Sequence, residues 1–179
     1  AAARAARRLH ARALELRRRE KDEAGMAETR LDMANLQSAM GQPADAIHTL
    51  VDGLEQLRRA LGAHHPQAIN MLRALCSLER ATDTLEAASR DCHASLQLAQ
   101  ELHGNNHRAT VDANRQLAAL YVDMGRFRDA EAIFTETTAW MGARLDPHHP
   151  DMARAYNSMA VVAWERGDIE RAVAYQQQA

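Results

Sequence analysis

A period of 42 residues runs through most of this chain and constrains its fold more than any other feature. Pro66 and Pro150 stand two periods apart, and Arg108 lies midway between them. The register holds without a gap from residue 24 to residue 179. Fixed periods of this size are typical of stacked-repeat proteins. Other columns keep the same spacing: Gly41, Asp83, Gly125 and Gly167; Ala46, Ala88, Ala130 and Ala172; Met33, Leu75, Leu117 and Met159; Leu36, Leu78, Leu120 and Val162.

Each period contains two helical patterns separated by a break. In 108–149, apolar residues recur three or four positions apart over 113–124, which indicates one buried helix face. Gly125 interrupts the pattern, because glycine readily adopts the left-handed conformation that ends a helix. A second apolar face runs over 127–141. Pro150 then suits the first turn of a helix, where a backbone N–H has no intrahelical partner. The period therefore predicts helix, short turn, helix and longer loop.

Composition also favours packed helices. Aromatic residues make up only 4% of the chain, whereas strand interiors prefer aromatic and β-branched side chains. The alanine column has a physical reason, since helices that approach to about 8–10 Å leave room only for a small side chain. No apolar run reaches the roughly 18–20 residues that span a bilayer, and no apolar stretch follows the arginine-rich start as in a signal peptide. We therefore expect an all-α protein in the cytoplasm, with no membrane partner.

Two cysteines, Cys76 and Cys92, are too few for a disulfide framework. Each stands in a column that is otherwise small or apolar. We predict two buried thiols in a reducing compartment, with a redox role as the alternative.

The columns resemble the tetratricopeptide repeat. The stretch QLAALYVDMGRFRDAEAIF (116–134) carries the likeness most clearly, and weaker copies occupy 35–50, 74–92 and 158–176. The 42-residue length and the histidine-proline loop are similar to the longer variety found in kinesin light chains and in many bacterial signalling proteins. The resemblance implies a right-handed superhelical solenoid of antiparallel helix pairs, in which the first helix of each repeat lines the concave face.

The period and the resemblance together divide the chain into a single continuous solenoid domain. We expect it to be a piece of a longer protein. Residues 1–23 are predicted to be the second helix of a preceding, incomplete repeat and its loop, followed by repeat 1 (24–65), repeat 2 (66–107), repeat 3 (108–149) and an incomplete repeat 4 (150–179).

Paired histidines stand in the loops before two repeats, at 64–65 and 148–149, and His107 takes the second position in the loop between them. The two pairs are two repeats apart, about 20 Å by helix stacking, whereas zinc holds its ligands at about 2.0–2.1 Å. The second histidine is therefore predicted to satisfy backbone groups at the start of the next helix. No catalytic motif, metal site or cofactor-binding loop is present in the sequence, so we expect a non-enzyme without a cofactor.

A candidate peptide-binding groove follows from the first-helix faces that point away from the core columns. Arginine donors match carboxylates and phosphates, and asparagine amides can hold a peptide backbone. Trp164 faces either the groove or the core, and an ordinary solvated surface is the alternative for the whole set. The candidate residues are Asn35, Asn70, Arg73, Ser77, Arg80, Arg115, Arg154, Asn157 and Trp164. The strip of Arg73, Arg115 and Arg154 predicts an acidic peptide as ligand.

These patterns predict a protein- or peptide-binding module, the regulatory or scaffolding segment of a larger protein of bacterial signalling type. The alternative is nucleic-acid binding through the basic first helix, because residues 1–21 carry seven arginines and Lys21 against two glutamates. That segment lacks the aromatic residues on which single-strand binders stack bases, so nucleic acid is the weaker alternative. Val173 and Tyr175 on the last helix predict end-to-end self-association of the fragment.

Overall fold

The computed structural model describes residues 2–179, with side chains from residue 5 onward, and this part of the chain contains α-helices and no strand. The helices pack in sequential pairs, which confirms the all-α prediction. They are α1 (Ala2–Glu20), α2 (Glu23–Ala39), α3 (Pro43–Leu61), α4 (Pro66–Ala81), α5 (Leu85–His103), α6 (Arg108–Asp123), α7 (Phe127–Gly142), α8 (Pro150–Glu165) and α9 (Ile169–Gln178).

The chain forms two compact units. Unit 1 extends to Leu102 and contains α1 to α5; unit 2 begins at His103 and contains α6 to α9.

In unit 1, Arg17 links α1 to α2, and Gly53 of α3 lies close to side chains of neighbouring helices. The Arg17 side chain joins α1 to α2, since its Nη1 donates to Thr29 Oγ1 at 3.0 Å and also to the carbonyl of Gly25. Gly53 of α3 lies so close to its neighbours that a Cβ there would stand 2.6 Å from the Met71 Cε atom. A larger side chain at position 53 would therefore require the Met71 and Arg30 side chains to move.

The turns inside the helix pairs use left-handed backbone, as the glycine column predicts. Gly41 and Gly125 have φ angles of 73° and 70°. Asp83 adopts the same conformation with a φ of 58°, although it carries a Cβ. Non-glycine residues reach this region at an energetic cost, which aspartate tolerates better than most.

Unit 2 has two apolar clusters between its helices. The first contains Ala118, Phe134 and Val162, with the alanine-column residue Ala130 fully buried among them. The second surrounds Met141 near the end of α7 and the start of α8, and the half-buried Trp140 packs against it. The alanine column is buried at all four of its positions: Ala46, Ala88 and Ala130 at 0% exposure and Ala172 at 7%.

The second histidine of each loop caps the helix that follows it. The Nδ1 atom of His65 accepts from Gln67 N at 3.3 Å, and that of His107 accepts from Ala109 N at 3.1 Å. His149 repeats the arrangement with Asp151 N at 3.1 Å. These bonds confirm the predicted role of the second histidine, because they satisfy donors that have no partner inside the helix.

The cysteines are buried as predicted, but they are not separate thiols. A disulfide joins Cys76 of α4 to Cys92 of α5, and both residues are at most 1% exposed. The prediction of two free thiols is therefore wrong for this structure. Sequence position alone could not reveal that the two columns meet at a Cα–Cα distance of 5.3 Å.

Candidate peptide-binding face

Two rows of side chains lie next to each other in unit 2, and together they form what we call the α6–α8 face. Within each row the residues are three or four positions apart, which places them on one side of their helix. Arg108 links the two helices, since its Nη2 donates to Asp151 Oδ2 at 2.7 Å. The face consists of Asp112, Arg115, Ala119 and Val122 on α6, and of Arg154, Asn157, Val161 and Trp164 on α8.

One end of the α6–α8 face is a network of arginines and carboxylates. Arg108 Nε donates to both carboxylate oxygens of Asp112, at 3.2 and 3.1 Å. Arg154 donates to the second carboxylate, Asp151. Arg115 Nη1 lies 3.9 Å from Asp112 Oδ1. Three guanidinium groups thus surround two carboxylates, so this end carries a net positive charge.

The network shifts the pKa values of its members. The hydrogen bond from Arg154, followed by the charge of Arg108, lowers the pKa of Asp151 although burial opposes this. Burial lowers the pKa of the Arg115 guanidinium, while Asp112 and Asp151 raise it. The Asp151 side chain is only 4% exposed, whereas that of Arg154 is 67% exposed. The buried carboxylate therefore holds an arginine whose donors face the solvent.

The other end of the face is apolar. Trp164 is 63% exposed and Val161 is 51% exposed. Trp164 is therefore a surface residue and not a core residue, which answers the question left open by the sequence. A groove of about 360 Å³ lies beside it, lined by Ala160, Val161, Trp164, Glu165, Ala172, Val173 and Gln176.

The structure brings some of the predicted groove residues together and distributes others elsewhere. Arg115, Arg154, Asn157 and Trp164 share the α6–α8 face. Asn157 Oδ1 accepts from Gln176 Nε2 at 3.1 Å, so part of this amide is already used. The remaining candidates belong to unit 1: Asn35, Asn70 and Ser77 are exposed, and Arg73 and Arg80 are half-buried.

Sequence reasoning does not identify Arg108 and Asp151 as parts of the site. Arg108 and Asp112 stand four positions apart on one helix, which is a signal for an ion pair. No local signal points to Asp151, because its partner Arg108 is 43 positions away. The predicted strip of arginines is therefore not bare, since carboxylates separate Arg115 from Arg154.

Several basic residues of α1 make contacts with other side chains of the same chain. Arg7 donates to Gln42 Oε1, and Arg19 Nη2 lies 2.5 Å from Glu15 Oε1. Arg17 holds α2, and it also lies 3.5 Å from Glu28. The side chain of Arg4 lies outside the described residues. The described contacts leave fewer of these arginines for nucleic acid than the sequence indicates.

The residues that the structure describes contain neither a candidate metal cluster nor a candidate membrane-spanning helix. This part of the chain contains no group of three histidine, cysteine, aspartate or glutamate side chains that could hold a metal ion. Within the same range, none of the helices combines the length and the apolar character that crossing a bilayer requires.

Residues 67–141 match a family model described as tetratricopeptide repeat, and residues 152–179 match a second model of the same description. Together the matches cover more than half of the chain. This chain belongs to the tetratricopeptide-repeat family. Tetratricopeptide repeats are typically non-catalytic and generally serve as scaffolds for protein interactions. No curated protein is significantly similar to the chain.

Solved structures show the same fold. BtubC (BKLC) from P. vanneervenii superposes with a TM-score of 0.87 at 18% identity, over 99% of this tetratricopeptide-repeat chain and 72% of BtubC. A structure of a Podosopora anserina kinesin-light-chain protein with nearly identical TPR-like repeats gives 0.76 at 17% identity, over 84% of this chain and 71% of that one. The fold is thus kinesin-light-chain-like, as the resemblance of the sequence implies.

Proposed function

We propose that the α6–α8 face binds a short extended peptide that carries an acidic residue at one end and an apolar residue at the other. The observation that supports this most is the exposed row of α8, which runs from Arg154 to Trp164 and changes along its length from charged to apolar.

Arg154 accounts for the proposed preference for an acidic residue at one end of the peptide. A guanidinium carries five N–H donors, and the described contact of Arg154 is a donation from Nη2 to Asp151. Asp151 is nearly inaccessible and orients the group, so the remaining donors can meet a ligand carboxylate in the bidentate geometry that arginine favours. Arg108, half-exposed, adds to the positive potential.

Trp164 and Val161 account for the proposed preference for an apolar residue at the other end of the peptide. An exposed indole provides a large surface whose burial against a partner is favourable. The ten-residue separation of Arg154 and Trp164 corresponds to about 15 Å along a helix. An extended peptide rises about 3.3 Å per residue, so four to five residues span that distance, to within about one residue.

The wider role that we propose is a non-enzymatic regulatory or scaffolding segment of a bacterial signalling protein in the cytoplasm, without a cofactor. The family membership supports a binding role.

A fluorescence-anisotropy experiment tests the peptide proposal. Labelled peptides would carry one glutamate and one leucine separated by between one and seven alanine or serine residues, with neutral glutamine versions as controls. We expect the tightest binding when the two residues are about four to five apart, and weaker binding at high salt because screening reduces the ionic contact.

Matched variants locate the site. Arg154→Ala and Trp164→Ala should each weaken binding by about tenfold or more, whereas Arg128→Ala, an exposed arginine on α7, should leave it unchanged. Equal binding by all three variants would show that the peptide binds elsewhere. Direct binding of labelled single-stranded DNA that persists in the Arg154 and Trp164 variants but is lost in Arg12→Ala would favour the nucleic-acid alternative.

A further inference from the structure

The α4–α5 pair, which corresponds to predicted repeat 2, differs chemically from the α2–α3 pair one period earlier. The buried positions of Cys76 and Cys92 correspond to Ala34 and Leu50, which are 1% and 0% exposed. The combination of a small and a large apolar residue is thus replaced by a disulfide of 5.3 Å Cα–Cα distance, an ordinary separation for such a bond. At this place in the fold a covalent link takes over from apolar packing.

A second substitution lies next to the first. Glu79 follows Cys76 by three positions, close enough for the two side chains to be neighbours on the helix surface, and Asp91 directly precedes Cys92. One period earlier the corresponding residues are Gln37 and Thr49, and Thr49 Oγ1 donates to Gln37 Oε1 at 2.8 Å. The same contact between the two helices is therefore made by an amide and a hydroxyl in α2–α3, and by two carboxyl groups in α4–α5.

Asp91 lies close enough to Glu79 to affect its titration through charge and hydrogen bonding, and a hydrogen bond between two carboxyl groups requires a proton on one of them. Glu79 is 7% exposed, and its Oε2 atom is buried without a hydrogen-bond partner. Burial, followed by the charge of Asp91 and the hydrogen bond with it, raises the pKa of Glu79 from 4.5 to about 7. Burial raises the pKa of Asp91 too, against the charges of Arg90 on α5 and Arg58 on α3.

We propose that Cys76 and Cys92 form a reversible redox site that keeps the α4–α5 pair closed, and that the reduced pair is held closed by the proton that Glu79 and Asp91 share.

The redox step needs a dithiol reductant. Its thiolate attacks one cysteine sulfur, the sulfur–sulfur bond breaks, and a mixed disulfide forms; the second thiol of the reductant then releases it as a cyclic disulfide. The two electrons and two protons of the reductant end on Cys76 and Cys92 as thiols. Because both sulfurs are buried, the attack requires the helix pair to open first.

The carboxyl pair makes opening depend on pH. The folded pKa of Glu79 lies above its ordinary value, so the folded state binds the proton more tightly than the unfolded state. The stabilisation is therefore largest below pH 4.5, decreases as the pH rises towards about 7, and is lost above it. Above that pH two carboxylates face each other inside the pair, and we expect it to open more often.

Thiol titration and hydrogen exchange of the purified chain test the proposal. The oxidised protein should have no reactive thiol after denaturation, and dithiothreitol should release two. Amide protection factors would then be measured by mass spectrometry in 66–103 and, as an internal reference, in 150–178, at about pH 6 and about pH 8, on either side of the Glu79 pKa. Reduction should lower protection in α4–α5 by about tenfold or more at the higher pH and by less at the lower pH.

Two double variants replace residues of the α4–α5 pair by those at the corresponding positions of α2–α3. They separate the effect of the disulfide from that of the carboxyl pair. Cys76→Ala with Cys92→Leu should abolish the response to dithiothreitol and keep the response to pH. Glu79→Gln with Asp91→Thr should keep the response to dithiothreitol and abolish the pH difference. Two reactive thiols in the oxidised protein, equal protection before and after reduction, or an unchanged pH difference in the second variant would each overturn the proposal.

Discussion

The histidines that precede repeats 2, 3 and 4 each act through one ring nitrogen. In the loops before α4, α6 and α8 the Nδ1 atom accepts a backbone N–H two residues further on, as serine or aspartate does at other helix starts. Proline follows His65 and His149, and it supplies a first helical residue with no N–H to satisfy. A cap and a proline together define where the helix begins.

Replacing His65 by alanine should destabilise the protein by about 1 kcal/mol, because Gln67 N loses its acceptor. The neighbouring His64 is a matched control: it is exposed and pairs only with Glu101 in the described contacts, so His64→Ala should change stability by less than about 0.5 kcal/mol. Urea unfolding followed by circular dichroism measures both. Equal midpoints would contradict the capping role.

Packing at the level of helix pairs depends on the alanine column. In unit 2, Ala130 of α7 has no exposed surface and lies in the cluster with Ala118 and Phe134. The absence of a longer side chain lets the helices approach closely. Polar contacts also join α7 to the helices that follow it: Glu131 accepts from Arg171 Nη1 of α9 at 3.2 Å and from Arg166, which follows α8.

Ala130→Arg should therefore lower the stability of the protein by more than about 2 kcal/mol, since it overpacks the contact and buries a charge without a partner. Arg128→Ala, two positions away on the same helix and exposed, should change it by less than about 0.5 kcal/mol. Arg126 is a less suitable control, because its guanidinium lies 4.2 Å from the centre of the Tyr121 ring. Similar thermal unfolding of the Ala130 and Arg128 variants would show that the column tolerates bulk.

At the scale of the whole molecule, the exposed apolar residues of α8 and α9 bear on association. Val161, Trp164, Ile169 and Val173 are each about half exposed or more, and exposed apolar patches of this kind often mark interaction surfaces. Tyr175, which the sequence also suggests for self-association, is half-buried and stacks on Tyr156 at 6.5 Å between ring centres. It supports the core of unit 2 and is not part of the patch.

We expect the chain to self-associate in a concentration-dependent way through this patch. Val173→Glu should shift the equilibrium towards monomer, because a carboxylate would have to be desolvated in the contact. Glu170→Gln, on an exposed position of the same helix, should have little effect. Sedimentation velocity over a concentration series distinguishes the two, and a strictly monomeric parent at every concentration would argue against the patch.

The amino-acid sequence by itself determined the repeat, the helix pairs and the capping histidines. These depend on local rules: apolar spacing selects a helix face, glycine permits the left-handed turn, and a histidine before proline reaches its own backbone. Even the Asp83 turn follows the glycine column, since the chain adopts the same backbone there despite a different side chain. The right-handed superhelix and the repeat boundaries remain predictions.

Only the tertiary structure decided which side chains of different helices meet. Cys76 with Cys92, Glu79 with Asp91, and Arg108 with Asp151 are contacts across helices, and each residue alone fits an ordinary surface or core position. Apolar periodicity tells which face of a helix is buried, but not its rotation and offset against the next helix. The chemistry of the α6–α8 face and of the α4–α5 pair depends on that rotation and offset, because hydrogen bonds and disulfides form only at short range.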